Sequence, residues 1–292
     1  MENGFHGYHP YVAFCYYVCS GILIMYYNHP VFLITALFVL ILVNLSHDRG
    51  KTLKKWTIPL LLMGVVFALL NPLLVSRGTH FLFYIGNRQI TLEATMFGIV
   101  MSLTLVSVII LFVSFNLILN GNKFLFVIGK IVPRTAFLMM LSIRFVPLLH
   151  NRFTEISSVQ RVRGMNMAQG TLRERARNGM NMMQTLLTWS LEEAIQTSDS
   201  MKARGYASGK KSSYHLYKME KCDWFWLFTL ILLFSLSIAG GMLGYGQIVI
   251  YPELGTLHFF IIDWLLFVSM IIILSFPLIV EGIEKARWAF YK

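Results

Sequence analysis

Six long apolar runs restrict this chain to folds that a lipid bilayer can hold. They cover residues 11–27, 31–45, 56–75, 92–119, 224–245 and 259–280. A helix needs about 20 apolar residues to cross the hydrocarbon core, and there only helices and closed barrels satisfy every backbone polar group. Only 13% of the residues are charged, whereas soluble domains carry about 25%. The sequence therefore predicts an all-α integral membrane protein with about six transmembrane helices.

The positions of Lys and Arg predict how these helices are oriented. The loop after the second run carries Arg49, Lys51, Lys54 and Lys55, whereas loop 246–258 carries no basic residue. Because short basic loops remain in the cytoplasm, we expect both termini to be cytoplasmic. In that topology 23 of the 25 basic residues face the cytoplasm. The net charge of +11 then follows from membrane topology, and no nucleic-acid partner is needed to explain it.

A basic, polar block interrupts the apolar runs. Sixteen of the 25 basic residues lie within residues 123–221. We predict three parts: an N-terminal membrane domain of about four spans over residues 1–122, a cytoplasmic or interfacial helical domain over residues 123–222, and a C-terminal membrane domain of one or two spans over residues 223–292. The polar domain thus lies between the fourth and fifth spans.

The polar block has the periodicity of long helices. From Leu172 onward an apolar stripe repeats every 3.6 residues on average, which places it on one helical face. Its members are Leu172, Ala176, Met180, Met183, Leu187, Leu191, Ala194, Ser198 and Met201. Residues 134–163 before it also read as a helix, whose apolar run is interrupted by Arg144 and Pro147. Amphipathic helices of this kind lie on a membrane surface or pack on other helices.

Both predicted helices end in the dipeptide Arg-Gly, at Arg163-Gly164 and Arg204-Gly205. Gly commonly follows a helix because it adopts the left-handed conformation cheaply, and Arg complements the helix dipole. Either pair alone is explained as an ordinary helix end. Two such ends on one side of the membrane, 41 residues apart, suggest projecting guanidinium groups that capture carboxylates on a partner. The pattern favours mechanical coupling over catalysis.

The chain resembles the transmembrane T component (EcfT/CbiQ-like) of energy-coupling factor (ECF) type ABC transporters, which are bacterial uptake systems for vitamins and transition-metal ions. That family carries two Ala-Arg-Gly-like signatures at the ends of cytoplasmic coupling helices. The second is intact as Ala203-Arg204-Gly205, and the first has Val162 before Arg163-Gly164. Asn71-Pro72-Leu73-Leu74, Thr91-Leu92-Glu93-Ala94 and Arg144-Phe145-Val146-Pro147 also fit the family.

The resemblance implies a non-catalytic subunit of an ATP-driven importer in the bacterial cytoplasmic membrane. Two ABC-type ATPases would carry ATP and Mg²⁺, so this chain would bind no cofactor or metal. A small membrane substrate-binding protein, the S component, would hold the vitamin or metal ion. The ATPase-coupling residues would be Arg163, Gly164, Ala203, Arg204 and Gly205, with support from Gln160, Arg161, Lys202, Arg144 and Pro147. The stripe formed by Met180, Met183, Leu187 and Leu191 would face the S component.

Other functions find less support in the residues. Gly50-Lys51-Thr52 resembles the end of a phosphate-binding P-loop, but residue 45 is Leu where that motif needs Gly. A stand-alone secondary transporter is the main alternative, and it needs polar residues and broken helices at the membrane midplane. The apolar runs contain few of either. A membrane enzyme would need a cluster of acidic, His or Cys residues facing the membrane, and the sequence shows no such cluster.

Overall fold

The computed structural model describes residues 7–48, 50–75, 78–85, 88–164, 170–206, 208–209, 217–248 and 260–290. Within these ranges the chain forms nine helices and two antiparallel strands. In chain order they are α1 (Pro10–Tyr26), α2 (Pro30–Asp48), α3 (Lys51–Leu74), β1 (Phe81–Ile85), β2 (Arg88–Thr91), α4 (Leu92–Ile118), α5 (Gly121–Ile131), α6 (Pro133–Val162), α7 (Leu172–Ala203), α8 (Lys221–Met242) and α9 (Ile261–Phe290).

Six of these helices correspond to the six apolar runs. Helices α2, α3, α4, α8 and α9 are long and apolar enough to cross a membrane, and α1 is a shorter apolar helix of 17 residues. The prediction of an all-α membrane protein with about six membrane helices is confirmed. Helices α1 and α2 both begin at a His-Pro pair, because Pro suits the first helical position. The Nδ1 atoms of His9 and His29 accept the backbone N–H groups of Tyr11 and Val31.

The described residues belong to two compact units. The membrane unit contains Met1–Val127 and Tyr217–Lys292, and the helical-hairpin unit contains Ile128–Leu216. The helical-hairpin unit includes α6, α7 and the end of α5, and its bounds lie within residues 123–222. The candidate site residues of the basic block therefore all lie in one unit.

Helix α1 lies at the centre of the membrane unit, in contact with α4, α8 and α9. The Tyr16 hydroxyl donates to the Leu274 carbonyl of α9 at 3.0 Å, and the Tyr27 hydroxyl donates to the Ser237 carbonyl of α8 at 2.7 Å. Buried hydroxyl groups need such partners because water is absent from the hydrocarbon core. The core-facing side of α9 is formed by Leu266, Met270, Ile273, Leu274, Phe276 and Val280, each at most 2% exposed.

Helices α3 and α4 approach each other closely at two glycines. A Cβ atom on Gly98 of α4 would lie 2.9 Å from the Ala68 carbonyl oxygen of α3, and one on Gly64 would lie 3.2 Å from Ser102 Oγ. The Ser102 hydroxyl donates to the Gly64 carbonyl at 2.8 Å. Small residues permit this approach, as they do generally where helices pack in membranes. Since α3 packs chiefly on α4, this contact fixes α3 in the bundle.

Replacing Gly98 with Ala should destabilise the membrane unit. The new methyl group meets backbone at Ala68 rather than a movable side chain, so the two helices must separate. Overpacking of this kind costs about 1–3 kcal/mol. A matched control is Gly282→Ala in α9, where no described residue lies within 4 Å of the added Cβ. Thermal unfolding in detergent should give a lower Tm for Gly98→Ala than for Gly282→Ala, and equal Tm values would contradict this close packing.

Two elements of the structure are absent from the sequence-based prediction. Residues 76–91, which join the third and fourth apolar runs, contain strands β1 and β2. Buried Glu93, at the start of α4, accepts the backbone N–H groups of Thr79 at 3.1 Å and His80 at 2.9 Å. Its carboxylate thus orders the chain before β1. This structural role explains why an acidic residue stands at the start of α4, and no role in ion transport is needed to explain it.

The second unpredicted element is the short helix α5. Its aromatic residues pack on the beginning of α1: the Phe126 ring lies 5.6 Å from His9, and the Phe124 ring lies 6.4 Å from Phe14. Tyr217, where the chain re-enters the membrane unit, lies 5.1 Å from Phe126. The last residues before the helical-hairpin unit and the first residue after it therefore meet in one aromatic cluster.

Candidate functional site

Helix α6 ends as the Arg-Gly pattern predicts. Its C-cap residue is Arg163, and Gly164 follows with a φ of +78°. The Gly164 N–H donates to the Arg161 carbonyl at 3.1 Å. Residues with a Cβ rarely adopt this left-handed conformation, so glycine is the residue that ends the helix here at least cost. Among the residues that the structure describes, none lies within 4 Å of the position that a Gly164 Cβ would occupy.

Helix α7 ends in a complete Schellman motif. Gly205, with a φ of +81°, donates its N–H to the Lys202 carbonyl at 2.9 Å. The next N–H, of Tyr206, donates to the Met201 carbonyl at 2.9 Å. These bonds satisfy carbonyl groups that the helix end would leave unpaired. Arg204 is thereby held at the C-cap, which is equivalent to the position of Arg163 on α6.

The two arginine side chains are exposed and available to a partner. Neither Arg163 nor Arg204 takes part in any of the ion pairs found among the described residues. A guanidinium group at a helix end interacts favourably with the helix dipole while its five N–H donors remain free for a carboxylate. The two ends can therefore serve as equivalent docking points for acidic grooves.

Two contacts show that α6 and α7 run antiparallel. The Phe137 ring, near the start of α6, stacks on the Tyr206 ring just beyond α7, with centroids 5.4 Å apart. Farther along α6 and near the middle of α7, the Arg152 guanidinium lies 4.7 Å from the centroid of the Trp189 ring. The C-terminal ends of the two helices therefore lie at opposite ends of the pair. Arg163 is about 16 Å beyond the Arg152–Trp189 contact along α6, and Arg204 about 22 Å beyond it along α7.

The apolar stripe on α7 is exposed from Leu172 to Ala194. Met180, Met183, Leu187 and Leu191 are between 54% and 72% exposed, and Ile195 extends the stripe by one turn. On another side of α7, Met182 is buried and Trp189 is half-buried beside Arg152 of α6. Helix α7 thus has one covered side and an exposed apolar side. A contiguous apolar surface of this kind indicates a binding surface for protein or membrane.

The supporting residues have different environments. Arg144 and Pro147 are exposed in the first half of α6, and the helix continues through Pro147 from Pro133 to Val162. The apolar run is interrupted in sequence, but the helix is not. Arg161 is exposed beside the α6 end, and Lys202 lies 3.5 Å from Asp199 on the exposed surface of α7. Gln160 is half-buried, and its Oε1 atom has no hydrogen-bond donor among the described residues.

The beginning of α7 has a signal that the sequence analysis did not use. Thr171 and Glu174 form a capping box, in which the Thr171 hydroxyl accepts the Glu174 N–H and the Glu174 carboxylate accepts the Thr171 N–H at 2.9 Å. These hydrogen bonds lower the pKa of Glu174. The spacing Thr-x-x-Glu is a known helix-start signature. Arg152 and Trp189, by contrast, have no sequence signal that pairs them.

Candidate sites elsewhere in the chain do not assemble. The Gly50-Lys51-Thr52 segment begins α3 directly after α2, without the strand that precedes a phosphate-binding loop. The sulfur atoms of Cys15 and Cys19 lie 3.8 Å apart, one turn apart in α1. Within the part of the chain that the structure describes, no group of three or more His, Cys, Asp or Glu residues could hold a metal ion.

Most of this chain is similar in sequence to known proteins. A family model described as CbiQ, cobalt transport protein, matches residues 5–216. The chain is also similar to curated relatives named energy-coupling factor transporter transmembrane protein EcfT. The EcfT of Leuconostoc gelidum subsp. gasicomitatum is 26% identical over 200 residues, which cover 65% of this chain and 74% of the relative.

Two further EcfT relatives give similar values. The protein of Lacticaseibacillus paracasei is 26% identical over 228 residues, which cover 73% of this chain and 84% of the relative. The protein of Bacillus subtilis is 25% identical over 193 residues, which cover 63% of this chain and 72% of the relative. The matched region of the family model contains both Arg-Gly ends and the exposed stripe of α7.

Proposed function

The chain belongs to the CbiQ family of cobalt transport proteins, and from this premise we propose that it is the transmembrane energy-coupling subunit of an ECF-type ABC importer. Its role is to link ATP hydrolysis by two cytoplasmic ATPases to substrate release by a membrane S component. The chain itself is non-catalytic in this proposal. ATP and Mg²⁺ bind to the ATPases, and the vitamin or transition-metal ion binds to the S component.

The observation that carries this proposal is the pair of equivalent helix ends at opposite ends of the helical-hairpin unit. One ATPase binds Arg163 at the end of α6, and the other binds Arg204 at the end of α7. Arg can form a bidentate pair with a carboxylate, and such a pair is both strong and directional. Two docking points that are tens of ångströms apart suit two separate partner molecules better than one small ligand.

The exposed stripe on α7 is assigned to the S component. Its four residues, Met180, Met183, Leu187 and Leu191, form an apolar surface that a membrane protein can cover. Methionine suits a surface that must repack, because its side chain is flexible and polarisable. Movement of the ATPases would be transmitted along α6 and α7 to this stripe, and the S component would change its position and release its substrate.

The chain is a multi-pass membrane protein, and we place it in the bacterial cytoplasmic membrane. The distribution of basic residues supports cytoplasmic termini and a cytoplasmic helical-hairpin unit. The S component carries substrate specificity in this proposal, so the residues of the present chain do not encode the identity of the cargo.

A detergent pull-down from the native bacterium tests the assignment. Tagged wild-type chain should bring down two ABC-type ATPases and one small membrane protein, identified by mass spectrometry. Uptake of the cargo by proteoliposomes should require all of these components together with ATP. A chain that purifies alone and transports a solute without ATP would instead identify a stand-alone secondary transporter.

A further inference from the structure

The contact between Arg152 and Trp189 lies between the two Arg-Gly ends, so a change in the angle between α6 and α7 at this contact displaces both ends. The Arg152 guanidinium is 4.7 Å from the centroid of the Trp189 ring, within the range of a cation–π interaction. Arg152 Nη1 also donates to Glu155 Oε2 at 2.7 Å, one turn along α6. Glu155 thus holds the guanidinium from the α6 side while Trp189 contacts it from α7.

The Phe137–Tyr206 and Arg152–Trp189 contacts act at different places along α6 and α7. The Phe137–Tyr206 stack joins the start of α6 to the end of α7, so it acts close to Arg204. The Arg152–Trp189 contact lies about two-thirds of the way along α6 and near the middle of α7, with an Arg-Gly end on either side. If α6 rotated by about 10° relative to α7 at this contact, the Arg163 end would move by about 3 Å relative to α7, given the helical rise per residue.

We propose that Arg152 and Trp189 are positioning residues whose contact sets the angle between α6 and α7 and thereby the position of each Arg-Gly end relative to the other. The proposal rests on the function proposed above. Bidentate hydrogen bonds tolerate only a few tenths of an ångström in donor–acceptor distance, so displacements of several ångströms prevent simultaneous docking of both ends. Neither residue touches an ATPase or the substrate in this role.

The relative position of α6 and α7 can be measured on the isolated full-length chain. Spin labels at Ser158→Cys and Ser200→Cys, both exposed, report the distance across the pair by electron–electron double resonance. The three native cysteines are first replaced by Ala. Arg152→Gln and Trp189→Leu should each widen the distance distribution at least about twofold. Arg152→Lys and Trp189→Phe, which keep the cation or the aromatic face, should restore the wild-type width.

The same variants are then assayed in the full transporter. Arg152→Gln and Trp189→Leu should lower cargo uptake per ATP hydrolysed at least about fivefold, while each chain still captures an ATPase. Arg173→Gln, an exposed charge in the first turn of α7, is the matched control and should behave as wild type. The proposal is overturned if Arg152→Gln and Trp189→Leu keep the wild-type distance distribution. It is also overturned if Arg173→Gln lowers uptake per ATP as much as they do. A widened distribution with unchanged uptake per ATP overturns the coupling role.

Failure of the proposed function would be recognised separately. If wild-type chain captures no ATPase, the proposed function fails and the coupling role of Arg152 and Trp189 fails with it. The distance measurement needs no partner, so it still decides whether this contact sets the angle between α6 and α7.

Discussion

A chain carrying Arg204→Glu is expected to lose ATP-dependent uptake and to capture its ATPase at least about tenfold less well. Loss of one partner of a buried, hydrogen-bonded charge pair at an interface costs about 2–5 kcal/mol, and reversal of its sign adds repulsion. The fold should be unaffected, because the Arg204 side chain is exposed and takes part in none of the ion pairs among the described residues. Quantitative pull-down and thermal unfolding separate the two effects.

Arg173→Glu is the matched control, because it makes the same charge change at an exposed position in the first turn of α7. Its uptake and ATPase capture should equal those of the wild type. Arg163→Glu should weaken capture of the second ATPase as Arg204→Glu weakens capture of the first. The double variant should lose more uptake and ATPase capture than either single variant. If only one of the two arginines matters, two equivalent docking points do not exist.

Placing negative charge on the α7 stripe is expected to release the S component while both ATPases stay bound. In Leu187→Glu/Leu191→Glu, a partner that covers the stripe must desolvate two carboxylates without a counter-charge, and this costs several kcal/mol. Capture of the small membrane protein should fall at least about tenfold, since each 1.4 kcal/mol changes an equilibrium tenfold. The ratio of S component to ATPase in a pull-down measures this directly.

Thr185→Glu/Gln196→Glu provides the control for the stripe. Both positions are exposed on α7 and lie outside the stripe, so the variant adds the same charge to the same helix. It should retain the S component. Equal loss in both double variants would show that charge on α7 in general, rather than the apolar stripe, weakens the complex.

The sequence predicts those features of the structure that depend only on residues close together along the chain. Each apolar run becomes a helix because its backbone polar groups pair within the segment, whatever lies around it. The left-handed conformations of Gly164 and Gly205 are also determined locally, because a helix end needs a residue that adopts positive φ at little energetic cost. Both Arg-Gly pairs were therefore correctly predicted as helix ends.

Features that depend on distant residues could not be predicted in this way. The antiparallel arrangement of α6 and α7 depends on Phe137 with Tyr206 and on Arg152 with Trp189, and neither pair has a sequence pattern. Strand β1 follows a segment ordered by the Glu93 carboxylate, which is more than ten residues away from that segment. Pro147 signalled an interruption, but α6 continues through it from Pro133 to Val162 despite the loss of one backbone hydrogen bond.

Helix α9 is part of the buried core, although it lies outside the residues that the family model matches. The region shared with relatives in the family model ends at residue 216, yet α8 and α9 lie beyond it and supply part of the core around α1. Tyr16 and Tyr27, inside the shared region, donate hydrogen bonds to carbonyl groups outside it. The membrane unit therefore extends beyond the end of the family-model match. A homology-guided truncation at residue 216 would divide a single folding unit.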